Sequence, residues 1–521
     1  MNRHARGAFV LLATLVLTGG PAWGSEREDL EIVRQTTINL INALVKNGVL
    51  SQEAAQGLIK QAEDGARQKV AAKQAADEKI VRVPYVPETV KREIREQIKQ
   101  EVVAQAKTER WGDVNAVPEW VERIKLDGDI RLRSQTEQFS KSNVIAPVVD
   151  AYYGLSSDAP TTENRDRLRV RARLGLAAKI SDMVSGGLRL ATGNTTDPVS
   201  TNQTLGNSAN KYSFLVDQAY LKVEPLEPQQ AQGPYKTFGL SFIGGKIPNP
   251  WFSTDLVWDP DINFEGVAAN GTYRFNERGS VYLTAGAFPL QDIAPSTVNK
   301  AKNKWLYGAQ AGLDLAAQNG SKARFGLALY DYKHVEGILE TDPAVFYYAA
   351  TAPQFRQKGN SIFLDGYSGV YKLASKFREL NLTAQLDLAN FDPMHVLLTG
   401  DYVRNIGYDE TEMLARTGIL YDKKKNVGYQ LQAAFGRPKV QNRGEWQAFA
   451  GYRYLERDAV LDAFTDSDFH LGGTDAKGYY LGGSYGIDHN TWLSMKWMSA
   501  DSIDGPKFGI DVLHVDLNAK F

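Results

Sequence analysis

RDRLRVRARLGLAAKI, residues 165–180, carries arginine at positions 165, 167, 169, 171 and 173 with mostly apolar residues between them. At helical spacing these arginines scatter around the whole circumference and no apolar face survives, whereas at period two the stretch divides cleanly. Leu168, Val170, Ala172, Leu174, Leu176 and Ala178 share one face, and Arg167, Arg169, Arg171 and Arg173 share the other. The stretch reads as a strand. Successive arginines on one side of a strand sit about 7 Å apart, so each neighbouring pair repels by about 0.6 kcal/mol at the dielectric of water and by several times more in a dry interior. The charged face must be wet or matched by carboxylates. A solvent-facing strand of a soluble sandwich meets that condition as well as a barrel wall does, and the rest of the chain decides between them.

The chain opens with MNRHARGAFVLLATLVLTGGPAWG, a basic start, an apolar run from Ala8 to Leu17 and small residues before a charged segment. That pattern is expected to be a secretory signal peptide over residues 1–24, since the apolar run is short for a membrane span. No later segment has the length and apolarity of a transmembrane helix: charged residues make up 23% of the chain and mean hydropathy is -0.36. The exported chain is then either soluble or a barrel. Absence of cysteine fits an oxidising compartment and removes disulfide frameworks and thiolate sites. A formal charge of -1 gives no global pull toward nucleic acid.

Residues 25–121 differ from everything after them. Leu30, Val33, Thr37, Leu40 and Leu44 step by three and four, Ser51 is placed as an N-cap for SQEAAQGLIKQAED, and Val90, Ile94, Ile98 and Val102 form a narrow stripe in a charged helix. A helical segment is expected there, either a coiled-coil seam that joins subunits or a solvated linker.

After Pro118 the chain turns to short alternating runs. They begin near Ile124, Arg165, Val184, Ser213, Thr237, Asp261, Ser280, Lys304, Ala323, Phe377, Met394, Asn426, Glu445, Lys477, Thr491 and Ile510. Their connections alternate between tight turns, such as SDM after Ile180 and NFDP before Met394, and long segments, such as 140–164 and 334–371. Antiparallel strands joined this way put every short turn at one rim and every long loop at the other, the pattern of outer-membrane barrels with short periplasmic turns and long external loops. A β-sandwich gives no reason for that asymmetry. Trp305, Tyr307, Trp446, Trp492, Tyr452 and Tyr454 fall toward strand ends, as interfacial girdles require. The final run alternates strictly through Leu513, Val515, Leu517, Ala519 and Phe521, and a last strand ending on an aromatic looks like the recognition signal of outer-membrane proteins. The expected fold is an all-β transmembrane barrel of about 16 antiparallel strands over residues 122–521, with the helical segment on the periplasmic side.

Together LVKNGVLSQEAAQGLIKQAE, VPEWVERIKLDGDIRLR, NRDRLRVRARLGL, KIPNPWFSTDLVWDPDINFEG and terminal Phe521 resemble the Putative porin family. The resemblance covers nearly the whole mature chain and implies an exported helical segment followed by an outer-membrane barrel embedded in lipid. The layout is also similar to phosphate-selective porins, although the basic strand here is arginine and no lysine ladder can be placed. Resemblance further implies a trimer, and gives the loop of residues 248–260 the role of a constriction folded into the lumen. Asp255, Asp259 and Asp261 would then face the arginine strand across the pore. The bland alternative is that Trp251, Phe252 and Trp258 pack that loop onto the rim with its aspartates solvated.

Apolar parity also assigns Arg131 and Arg133 to the charged side of the preceding strand, beside Lys125, Asp127 and Asp129, and Arg189 on the third strand extends the patch. Two aspartates do not neutralise all of these arginines, so Arg131, Arg133, Arg167, Arg169, Arg171, Arg173 and Arg189 are expected to line a basic stripe in a water-filled channel. Such a stripe favours anions among small hydrophilic solutes, because a confined aqueous channel focuses its field. A structural barrel that tethers the helical segment to the cell wall is the alternative. An enzyme is not expected, since His334, His395, His470, His489 and His514 show no metal or triad spacing, and no cofactor or metal is expected either. In SFLVDQAYLKV, Asp217 shares parity with Leu215, Ala219, Leu221 and Val223, which calls for a shift, a bulge or a protected interface.

Overall fold

The computed structural model describes residues 123–155, 160–226, 237–419 and 423–521, together with residues 56, 57, 60, 95, 96 and 98–100. Two compact units divide the chain, 1–119 and 120–521. In the first, the described residues are helical, and Ile98 of the expected stripe is exposed. The signal peptide and the rest of the helical segment, with Val90, Ile94 and Val102, lie outside the described residues.

The second unit is one antiparallel sheet closed on itself. In chain order its strands are β1 (Ile124–Phe139), β2 (Arg165–Lys179), β3 (Val184–Ala191), β4 (Leu215–Leu226), β5 (Thr237–Pro248) and β6 (Asn263–Asn276). Next come β7 (Gly279–Gln291), β8 (Lys304–Ala316), β9 (Lys322–Lys333), β10 (Arg378–Phe391) and β11 (Met394–Asn405). The wall is completed by β12 (Val427–Gly436), β13 (Trp446–Leu455), β14 (Ala476–Asp488), β15 (Thr491–Ser502) and β16 (Gly509–Lys520). The sheet counts 17 strands, one of them the two-residue bridge Gln203–Thr204, which pairs with Arg169 and Val170 where β3 has ended. The other 16 form the barrel. Pairing of β1 with β16, from Asp129 opposite Lys520 to Phe139 opposite Ile510, closes it. Gly128 and Phe521 exchange two 3.0 Å backbone hydrogen bonds at the seam, so no edge is left to recruit a foreign strand.

Alternation explains the wall. Leu126, Ile130, Leu132, Leu168, Leu174 and Leu176 are exposed on the outer face, while the residues between them point into the barrel, as a strand's two-residue period requires. Connections 180–183, 277–278, 317–321, 392–393 and 489–490 gather at one rim, and 140–164, 192–214, 249–262, 334–377, 406–426 and 456–475 at the other. The long ones hold structure of their own: α1 (Ala146–Tyr153), α2 (Glu410–Thr417) and a small hairpin pairing Ile362–Leu364 with Tyr371–Leu373. Asp409 caps α2 by accepting the Glu412 amide at 3.0 Å.

Aromatic residues gather near the strand ends on the outer face. Trp305 stacks on Tyr307 and Tyr429 on Tyr454, with ring centroids 5.8 and 5.3 Å apart. Phe435 meets Trp446 near the short-turn rim. Trp492 departs from the expected girdle: Leu493 and Met495 of β15 point outward, so Trp492 has the inward parity. Asp217 sits in a bulge. The β3–β4 register pairs Arg189 with Gln218 and then Leu190 with Val216, skipping one residue; the extra residue turns Asp217 inward, where it meets Arg189 at 2.6 Å.

Candidate functional site

The inner faces of β16, β1 and β2 bring like charges directly opposite one another. Register places Arg131 against Arg171 and Arg133 against Arg169, an arrangement that is unfavourable unless counter-ions are supplied. They are supplied from several parts of the chain. Asp516 of β16, opposite Arg133 in the register, binds its guanidinium at 2.8 and 3.0 Å. Asp468, in connection 456–475, reaches the same arginine at 3.0 Å. Glu137 binds Arg167. Asp129 bridges Arg171 and Arg173 at 2.9 and 2.7 Å, and Asp261 approaches the same two at 3.6 and 3.3 Å.

Two arginines of the stripe are different. Arg131 is held by the side-chain oxygen of Asn202 and Arg169 by that of Gln135 at 3.2 Å, both neutral amides. Among the described residues neither has a carboxylate within 4.0 Å, and the Nε–H of each is buried without a hydrogen-bond partner. Carboxylates beyond the two aspartates counted in the sequence thus stand within 4.0 Å of Arg133, Arg167, Arg171, Arg173 and Arg189, and among the described residues Arg131 and Arg169 are the stripe's arginines without one.

Connection 249–262 reaches across the barrel interior rather than resting on its rim. Its Phe252 backbone exchanges hydrogen bonds of 2.9 and 2.7 Å with the Gln310 amide of β8. Thr254 donates to Asp401 of β11 from both its amide and its hydroxyl. Beyond it, Leu256, Val257 and Trp258 are buried with Tyr330, Tyr332, Phe264 and Phe288 in the largest apolar cluster of the barrel. Trp258 meets Phe264 and Tyr330 edge to face at 4.8 and 5.1 Å. Connection 456–475 lies against this loop: Asp259 N–H donates to the Phe464 carbonyl at 2.8 Å, and the Thr465 hydroxyl to the Leu256 carbonyl at 2.8 Å.

The three loop aspartates separate. Only Asp261 faces the arginine strand. Asp255 lies against the opposite wall, where it binds Arg453 of β13 at 2.7 Å and accepts from Gln430. Burial alone would raise its pKa, but Arg453 and Lys496 outweigh that and hold it at about 2. Asp259 is bound to no cation among the described residues and accepts only the backbone N–H groups of Asp261 and Ser467. Burial, reinforced by Asp466 and Asp261, pushes it well above the ordinary carboxylate range. Glu137 shares the inward parity of Arg131 and Arg133 on β1, a local signal that the sequence reading passed over, whereas Asp468 had none, since only the return of a distant loop brings it to the arginines.

A cavity of about 920 Å³ lies at the long-loop rim, bounded by Asn194, Asp197, Thr201, Asp217, Phe355 and Phe464 among others. Its Thr192–Thr201 wall leads into Asn202, the partner of Arg131. Among the described residues no group of His, Cys, Asp and Glu is arranged to hold a metal ion.

The chain is similar to several solved structures. Pseudomonas putida OprB at high pH is 11% identical over 77% of this chain and 96% of its own, with a TM-score of 0.44. The channel DcaP of Acinetobacter baumannii is 12% identical over 76% and 97%, with a TM-score of 0.38. Salmonella typhi OmpF, solved in complex with daunomycin, is 12% identical over 76% and 97%, with a TM-score of 0.37. No curated protein matches the chain. The model of the Putative porin family matches residues 34–521, and with that match spanning the whole barrel, the chain belongs to the Putative porin family.

Proposed function

We propose that this outer-membrane channel passes small hydrophilic solutes by diffusion and favours anions over cations of similar size. The observation that carries the preference is the pair Arg131 and Arg169, half-buried on the inner wall with only amides as partners. Every other arginine of the expected stripe holds a carboxylate. In a narrow aqueous passage an uncompensated charge acts over the whole cross-section, because low-dielectric walls focus its field. Connection 249–262 packs Trp258 into the aromatic side of the barrel and reaches the arginine wall through Asp261, so it narrows the lumen beside the arginines and acts as the constriction. Solute transfer needs no catalytic group, and the function is a channel rather than an enzyme.

The experiment is the reversal potential of the purified full-length protein in a planar bilayer under a KCl gradient. A potential displaced toward that of chloride is expected; one displaced toward potassium contradicts the reading. Association as a trimer, with the helical segment in the periplasm, is part of the same proposal. Mass measurement in detergent at several concentrations checks the trimer, and a persistent monomer contradicts it.

A further inference from the structure

We infer that Arg131 and Arg169 form a discrete oxyanion subsite in the channel wall, where a permeating carboxylate or phosphate lingers instead of merely being attracted. The inference rests on the channel reading above and assigns the chemistry of its binding step.

The site lies in the gap between two clamps. On one side Asp129 and Asp261 satisfy Arg171 and Arg173; on the other, Asp468 and Asp516 satisfy Arg133. Because Arg131 pairs with Arg171 and Arg169 with Arg133, Arg131 and Arg169 are diagonal neighbours on adjacent strands. Diagonal positions stand about 7–8 Å apart, within the span over which two arginine side chains converge on one small anion. The Nε–H of each is buried without a partner, so both guanidinium groups are under-satisfied as they stand. Their present partners compete weakly, since the Asn202 and Gln135 oxygens are neutral and hydrogen bonds to charged acceptors are roughly twice as strong as those to neutral ones. Both amides are themselves anchored, Asn202 by donating to Ser200 Oγ at 3.3 Å and Gln135 by donating to Glu137 at 2.6 Å, so they frame the site.

Geometry selects the ligand class. A guanidinium offers parallel N–H donors matched to the paired oxygens of a carboxylate or phosphate, whereas chloride is a single acceptor centre that both donors must share and gains less from the fork. An oxyanion should therefore occupy the site and obstruct chloride current in a saturable way.

The test measures chloride conductance of the full-length protein in a planar bilayer at fixed KCl, with sodium acetate or sodium phosphate added in separate titrations. A saturating decrease is expected, and the anion with the lower half-effect concentration identifies the planar or the tetrahedral ligand. Replacing both arginines by lysine, Arg131→Lys with Arg169→Lys, keeps the charge and removes the forks. Its reversal potential is expected to stay anion-selective while the half-effect concentration rises about tenfold. As a second variant outside the wall strands, Asn202→Asp supplies Arg131 with a built-in carboxylate and is expected to abolish the obstruction. Conductance that falls linearly with both anions, beside an intact anion preference, overturns the subsite and leaves the channel reading standing. An absent anion preference overturns the reading beneath it.

Discussion

The two sides of the barrel interior are built on opposite principles. On the side of β6, β7 and β9, Trp258 of the crossing loop is closed in by Phe264, Phe288, Tyr330 and Tyr332, and the contact is dry. On the side of β16, β1 and β2, arginines and carboxylates face each other and several remain half-buried. Apolar packing is non-directional and strong per residue, so it suits fixing a loop in place. Ion pairs taken from water contribute little net stability, because the cost of desolvation offsets much of their attraction; what they set is where charge is left over. The aromatic side thus holds the loop, and the charged side is left to act on solutes.

The largest effect is expected from breaking the dry contact. Trp258→Ala removes an aromatic buried to 2% exposure, and truncations of this kind cost about 3–5 kcal/mol. The loop should come loose while the barrel persists, so single-channel conductance should rise; unchanged conductance would mean that the loop is held elsewhere.

How far these regions were legible in sequence follows from the range of the forces involved. Strand positions were legible because period two is a local property: the expected starts at Ser213 and Asp261 move only to Leu215 and Asn263. The arginine strand was legible for the same reason. Its compensation was not, since Asp468 meets Arg133 across 335 residues of sequence, and parity carries no information about which distant loop returns. Asp255 was misplaced because nothing nearby marks Arg453 as its partner. The conflict at Asp217 was legible as a conflict, and the bulge resolves it. One overlooked element did have a local signal: Asp409, Glu412 and Gly418 mark the cap, first turn and end of α2.

A smaller effect tests the junction between connection 456–475 and its surroundings. Asp462 is buried with neither carboxylate oxygen hydrogen-bonded, and burial pushes its pKa up to about 6. A carboxyl raised in the packed state stabilises packing fully below its ordinary pKa near 4 and loses that contribution as pH rises through about 6. Asp462→Asn should therefore strengthen hydrogen-exchange protection of this loop at pH 8, by on the order of 1 kcal/mol, and change it little at pH 4. An equal gain at both values would exclude ionisation as the cause.

A smaller effect again sharpens the charged side. Asp468→Asn takes one of two carboxylates from Arg133, leaving Asp516 in place. Anion selectivity should increase modestly with no loss of folded barrel, read as a shift of a few millivolts in reversal potential on the order of what one added partial charge in a focused field produces. A shift toward cations would contradict the assignment of Asp468 as a counter-ion.

Reversal potential under a KCl gradient, compared between two paired substitutions, addresses the central claim that selectivity resides in the arginines without carboxylates. Arg131→Gln with Arg169→Gln removes the uncompensated charges; Arg171→Gln with Arg173→Gln removes the same formal charge from positions held by Asp129 and Asp261. The account predicts that the first pair abolishes anion preference. The second pair leaves Arg131 and Arg169 in place but frees Asp129 and Asp261, two negative charges against two positive, and should bring the channel no further than neutrality. Anion preference that survives the first pair unchanged would contradict it.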